Sequence, residues 1–425
     1  MKIALHGINF SPELSGIGKY TCEMAEWLAR RGHEVRVVTA PPYYPAWQIG
    51  QGYSGRSYSR EVKDLSPTQS NALNGEGRLW VYRCPVWVPR HPSGLKRLVH
   101  LASFAASSLP VMLGQVFWRP DIVWVVEPPF VCAPQAWLLA RLSGAQAWLH
   151  VQDFEVDAAF EFGLLPRGIL SRLAYWAERV IIKAFDRVST ISENMSARLA
   201  EKGVMHGTLF PNWVDTEAIY PLTGPSSMRH ELAIPRHAIV ALYSGNMASK
   251  QGLEILIDAA RSLIARPDVR FVLCGDGPAK SRLQELASGL SNITFLPLQP
   301  VDKLNALLNL ADIHLLPQRA DAADLVMPSK LTGMLASGRP VLATAAHGTQ
   351  VASVVAGRGV AVEPGDAQAL SAAIEQLATN PQLRSELGAA ARAYAVAHLG
   401  REAVLGKFEQ ALLSLVEGKL ASSPG

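Results

Sequence analysis

Residues 2–40 read KIALHGINFSPELSGIGKYTCEMAEWLARRGHEVRVVTA. The short apolar run KIALHGI ends in a glycine-containing loop, the pattern of a buried strand. Tyr20, Met24, Trp27 and Leu28 then recur at helical spacing on one face, Gly32 supplies a stop, and EVRVVTA is a second strand pattern. Strand, helix, strand in that order is the βαβ unit of a parallel sheet.

Outward from this unit the alternation repeats. Strand patterns recur at LWVYRCPV, DIVWVV, AQAWLHV and DRVSTIS, and residues 40–78, rich in Pro, Tyr, Gly and Ser, are expected to form a long loop. Pro221, Gly224 and Pro225 mark a linker. Beyond it a second series starts: AIVALYSG, VRFVLCG, ITFLP, IHLLP, PVLAT and GVAVEP, each followed by a helical pattern. The expected fold is α/β, two facing doubly wound Rossmann-like domains with a cleft at the carboxyl ends of their strands. The expected boundaries are 1–215, 216–385, and C-terminal helices over 386–425 that pack back toward the first domain.

Composition limits the rest. A chain of 425 residues, 49% hydrophobic and 18% charged, excludes disorder and fibrous classes. Cys22, Cys84, Cys132 and Cys274 lack paired spacing, which suits a reducing cytosol and argues against a zinc site. The N-terminal apolar stretch is too short for a signal peptide, and Leu98 to Trp118, interrupted by Pro110, is disfavoured as a membrane span. A net charge of +4 does not call for nucleic acid. Within 51–119, however, Arg56, Arg60, Lys63, Arg78, Arg83, Arg90, Lys96, Arg97 and Arg119 face only Glu61, Asp64 and Glu76, and Trp80 and Trp87 lie among them. Such a stretch fits a face laid on anionic lipid; a solvated basic surface with Trp80 and Trp87 in the core is the competing reading.

Chemistry is expected in loops that follow strands. Gly16 and Gly18 lie between the first strand and its helix, where backbone amides approach a phosphate or sugar, or simply make a tight turn. Gly245, Asn246 and Lys250 occupy the same place in the second series, and Lys250 adds a cation for a diphosphate. Gly275, Gly277 and Pro278 offer a flat backbone to a nucleoside. Pro328, Ser329 and Lys330 open a helix with amides, a hydroxyl and an ammonium, or cap it structurally. At the end of LHVQDFE, His150 and Gln152 share one strand face and Asp153 takes the other. The chain has no D-x-D sequence to hold a metal.

Together and in order, PELSGIGKYTCEMAEWLARRGHEVRVVTAPPYYP, Gln152-Asp153, PNWVD, SGNMASKQGLEILIDAA, CGDGP and PSKLTGMLASGRPVLA resemble glycosyltransferase family 4, and within it the exopolysaccharide branch typified by colanic acid biosynthesis. The resemblance implies a retaining, metal-independent hexosyltransferase without cofactor. It implies a nucleoside diphosphate sugar, fucose from GDP-fucose in this branch, bound by the C-terminal domain. It also implies a lipid-linked saccharide acceptor bound by the N-terminal domain, on the cytoplasmic face of the inner membrane. By position Gly16 and Gly18 would line the sugar and diphosphate, Gly245, Asn246 and Lys250 the diphosphate, and Gly275 to Pro278 the nucleoside. Ser329 and Lys330 would meet the donor phosphates, and Asp153, Gln152 and His150 would orient acceptor or donor sugar.

Three departures accompany it. The family's two glutamates fall on Leu325 and Gly333, leaving Asp324 or Lys330 to replace their contacts. The histidine of its His-Asp pair falls on Gln152. Its two basic donor-loop residues fall on Asn246 and Gln251, with only Lys250 nearby. The alternative reading is therefore a catalytically inactive partner that binds a nucleotide sugar for another transferase.

Overall fold

In the computed structural model β1 (Lys2–His6) and β2 (Glu34–Thr39) pair in parallel across the helix Gly16–Arg30, so the unit expected over 2–40 is present. The described residues are 1–13, 16–65, 77–161, 168–248, 251–319 and 328–422. Two units arise from the chain: Met1–Pro211 with Leu405–Gly425, and Asn212–Val404.

The first unit contains an eight-stranded sheet. To β1 and β2 it adds β3 (Ser59–Leu65), β4 (Gly77–Arg83), β5 (Ile122–Glu127), β6 (Gln146–Val151), β7 (Arg187–Thr190) and β8 (Thr208–Leu209), in the spatial order β3-β4-β2-β1-β5-β6-β7-β8. Every pairing is parallel except β3 with β4. All six residues of β5, IVWVVE, are buried, as expected for a strand covered on both faces. β3 corrects the expected 40–78 loop. Its sequence SREVKDL alternates charges around the exposed Val62, so it pairs on one side only and buries too little to carry an apolar signature.

Pro110 also fails to interrupt its helix, which runs Gly94–Gly114. Together with the following turn to Trp118, this helix is long and apolar enough to cross a membrane by length and composition. It buries His100, Phe104, Ser108 and Met112 along one side, and Ser108 Oγ lies 3.2 Å from His6 Nε2, which seats it on the sheet.

The second unit has β9 (Ile239–Ser244), β10 (Val269–Cys274), β11 (Ile293–Leu296), β12 (Ile313–Leu316), β13 (Val341–Thr344) and β14 (Gly359–Val362), all parallel, in the order β11-β10-β9-β12-β13-β14. These coincide with the six strand patterns of the second series. The helix Pro381–Tyr394 stays with this unit, and the chain rejoins the first at Leu405, inside the helix Arg401–Ser422. There Phe408 stacks on Phe210 at 4.2 Å and meets Trp148 edge-on. Glu409 binds both Arg31 (2.9 Å) and His33 (2.8 Å).

Strand order reverses direction between β1 and β5 in one sheet and between β9 and β12 in the other. The crevice beyond the carboxyl ends of such strands is where open α/β sheets bind ligands.

Candidate donor and acceptor sites

Beyond β9 the chain turns sharply through Gly245. Gly275, after β10, comes so close that a Cβ on it would lie 1.9 Å from the Gly245 carbonyl oxygen, and its φ of +153° admits little but glycine. A Cβ on Gly277 would lie 2.5 Å from the Met247 oxygen. The two loops are stitched by Gly245 N–H to the Cys274 carbonyl (2.9 Å) and Met247 N–H to the Asp276 carbonyl (2.8 Å). Asn246 and Pro278 stay exposed on this surface.

Lys330 enters the same place from the far side of β12. Its Nζ sits 4.2 Å from the ring centre of the buried Tyr243 and 3.7 Å from where a Gly245 Cβ would be. Tyr243 donates its hydroxyl to the Asn246 carbonyl (2.6 Å), so the ring that carries the amine also holds the loop. Among the described residues no carboxylate pairs with Lys330, and loss of hydration lowers its pKa to about 7. An unpaired amine beside a glycine loop is a group that gains by meeting an anion. Ser329 is exposed at the N-terminal end of the short helix Lys330–Ala336, with Pro328 half-buried before it. Gly333, where a family glutamate would fall, has Leu308 at ordinary contact distance. Lys250, Asp324 and Leu325 lie outside the described residues. Sequence reasoning missed Tyr243, whose role depends on Lys330 arriving from 87 positions later. It also missed Arg319, whose side-chain stem lies over Gly252.

In the first unit the loop after β1 is organised by a buried carboxylate, another residue not singled out from sequence. Glu13 accepts the Tyr43 and Tyr44 amides (2.8 and 2.9 Å) and the Asn9 side chain (2.8 Å), while burial raises its pKa. Gly18 lies against it: a Cβ there would stand 3.1–3.3 Å from Glu13 and the Phe10 amide, so this glycine makes room for protein. Gly16 is different, with open space around it at the start of its helix.

His150 is buried in the core. Its Nδ1 meets Ser189 Oγ at 2.8 Å, its ring stacks on Trp124 and abuts Phe210, and burial lowers its pKa to about 3. A neutral imidazole so enclosed packs the sheet and does not reach a ligand. Gln152 is buried and Asp153 half-buried, both just beyond β6. Beside them at the end of β5 is Glu127, whose Oε1 accepts the Glu155 amide (3.1 Å) while Oε2 has no partner among the described residues. Burial, then the charges of Glu155 and Glu178, push Glu127 well above the usual carboxylate range. Trp80 and Trp118 form faces for the Arg36 guanidinium, at 5.5 and 4.1 Å, and Arg83 is buried on Glu61, so part of the basic, Trp-rich stretch serves the fold.

Comparisons agree with this architecture. Residues 15–213 match the family described as glycosyl transferase 4-like domain, and residues 226–394 that described as glycosyl transferases group 1. The chain is 44% identical over 420 residues, covering 96% of itself and 98% of the relative, to the putative colanic acid biosynthesis glycosyl transferase WcaI of Escherichia coli K12. It is 25% identical, over 86% of itself and 90% of the relative, to alpha-D-kanosaminyltransferase of Streptomyces kanamyceticus. Among solved structures, sucrose-phosphate synthase of Thermosynechococcus elongatus superposes with a TM-score of 0.73 at 20% identity, covering 98% and 99% of the two chains. Anabaena HepE in complex with UDP superposes with a TM-score of 0.69 at 16% identity, covering 97% and 100%. These two likenesses concern the fold. With two Rossmann-like parallel sheets of the GT-B type and family matches in both units, the chain belongs to the glycosyltransferases with a 4-like N-terminal part and a group 1 C-terminal part.

Proposed function

We propose that this glycosyltransferase moves a sugar from a nucleoside diphosphate donor to a lipid-linked saccharide in exopolysaccharide assembly of the colanic acid kind, with retention of configuration and without metal or cofactor. The observation that carries the reading is the amine of Lys330, unpaired among described residues, beside Gly245 and the backbone platform of Gly275 and Gly277. Glycosyl transfer leaves a diphosphate as charge develops, and a preorganised cation and amides lower the barrier where that charge appears. Lys330 and Lys250 would supply the cations, Ser329 a hydroxyl, and the Gly245–Asn246 loop the backbone. Gly275, Gly277 and Pro278 would meet the nucleoside, and Pro328 and Asp324 would complete the loop around the donor.

In the first unit, Gly16 would line the sugar and diphosphate, and Gln152 and Asp153 would orient the acceptor or donor sugar. The leaving diphosphate itself takes the acceptor proton, so no separate base is required. GDP-fucose is the donor favoured by the similarity to the colanic acid enzyme of Escherichia coli. The site of action is the cytoplasmic face of the inner membrane, where the lipid-linked acceptor lies. In support, the helix Gly94–Gly114 exposes Leu95, Leu98 and Val99 beside Lys96 and Arg97.

The test is thermal unfolding with GDP, UDP, ADP and dTDP and their sugars in EDTA. A ligand at about 100 times its dissociation constant adds about 2.7 kcal/mol. Selective stabilisation by one diphosphate is expected; no response to any, or a response only with magnesium, contradicts the reading. Gly333 in place of a family glutamate favours the inactive-partner alternative, and turnover of the bound donor sugar excludes it.

A further inference from the structure

The helix Ile169–Lys183 carries an apolar stripe that the described residues leave exposed. Ile169, Leu173, Trp176 and Val180 are 87, 57, 62 and 49% exposed. At 100° per residue they fall within about 60° of one another, along three turns. The opposite side is spent on the fold: Ile182 is buried, and Glu178, the only acid of the helix, is buried on Lys202 at 2.5 Å. Arg172 and Arg179 are exposed on one flank of the stripe, and Arg179 borders a groove with Tyr175, Arg198 and Lys202, whose acids are Glu201 and Asp157, the latter paired with Lys202.

We infer that this helix is a membrane-docking surface that lies in the interface of an anionic bilayer, with the stripe among acyl chains and Arg172 and Arg179 among phosphates. Charge complementarity selects that occupant. An apolar strip on a helix whose own exposed charges are all cationic, with an indole in its middle, is the composition of helices that lie flat in anionic interfaces. A monomeric soluble protein rarely leaves such a row of large residues open. The inference deepens the lipid-linked acceptor reading and rests on it for its purpose, but it concerns a helix separate from Gly94–Gly114.

The experiment is co-sedimentation of the full chain with vesicles of phosphatidylglycerol and phosphatidylethanolamine, and of phosphatidylcholine alone, at about 50 mM salt, where surface charge is weakly screened. Wild-type protein is expected on the anionic vesicles. Leu173→Ser with Trp176→Ser, and separately Arg172→Gln with Arg179→Gln, are expected to lower partitioning about tenfold or more. Unfolding temperature and nucleoside diphosphate binding should stay unchanged in both. Undiminished binding of the double variants overturns the helix assignment and leaves the membrane reading standing. No binding of wild-type protein overturns both. A wild-type dimer that becomes monomeric in the Leu173→Ser, Trp176→Ser variant assigns the stripe to a second copy and also overturns the inference.

Discussion

Lys330 stands at neutral pH close to its own midpoint, and this makes it testable. Its amine titrates near 7 in the folded chain and at 10.5 in the unfolded one. Between these values the unfolded state holds the extra proton, so stability should rise as pH increases from 7 to 10.5, with the full penalty present below 7. Lys330→Met should flatten that rise and stabilise the protein at pH 6, as read by urea unfolding. Binding a diphosphate restores the charge. Above pH 7 binding should therefore take up a proton and weaken by up to about tenfold per pH unit, measurable by calorimetry in two buffers of unlike ionisation enthalpy. Glycines separate by the same logic. Gly275→Ala should cost more than about 2 kcal/mol and abolish nucleotide binding, because its Cβ would strike backbone. Gly16→Ala, with open space and a φ of +60°, should cost only about 1 kcal/mol, so any larger loss of transfer would reflect its contact with a substrate.

Among elements, the strands were legible wherever both faces are buried, because β5, β9 and β10 read as near-continuous apolar runs. β3 was not, since an edge strand answers to its neighbour's hydrogen bonds and needs no continuous apolar run. To the ladder with β4 two side-chain ties are added, Lys63 on Glu26 (3.1 Å) and, on Glu61, Arg83 of β4. Its guanidinium donates to Glu61 (2.6 Å) and to the carbonyls of Ala40 (3.1 Å) and Ser11 (2.6 Å), and lies 4.7 Å over Tyr53. From sequence this arginine counted toward a basic surface; its burial depends on partners from four segments. Arg83→Ala should destabilise the protein by about 3 kcal/mol through orphaned buried acceptors, against about 1 for Glu61→Gln, compared by urea unfolding. His150 shows the same limit: strand alternation told its face but not that Trp124, Phe210 and Ser189 close over it.

For the whole molecule, the last helix ties the C-terminus to the first unit through Phe408 and Glu409. Phe408→Ala should cost about 3–5 kcal/mol in a thermal or urea melt, because Phe210 and Trp148 lose their cover. The donor platform was legible in its glycines and in Lys330, since each follows a strand of the second series. The meeting of Lys330 with Gly245 over Tyr243 was not, because it depends on strand order, which places β12 beside β9. The central claim is that this meeting point holds the leaving diphosphate. The most direct test is the rate of nucleoside diphosphate release from GDP-fucose in EDTA, with lipid-linked acceptor, by wild-type protein and Lys330→Ala. The account expects metal-free turnover that falls about a hundredfold or more in the variant, with its fold intact. An unchanged rate in Lys330→Ala would contradict it.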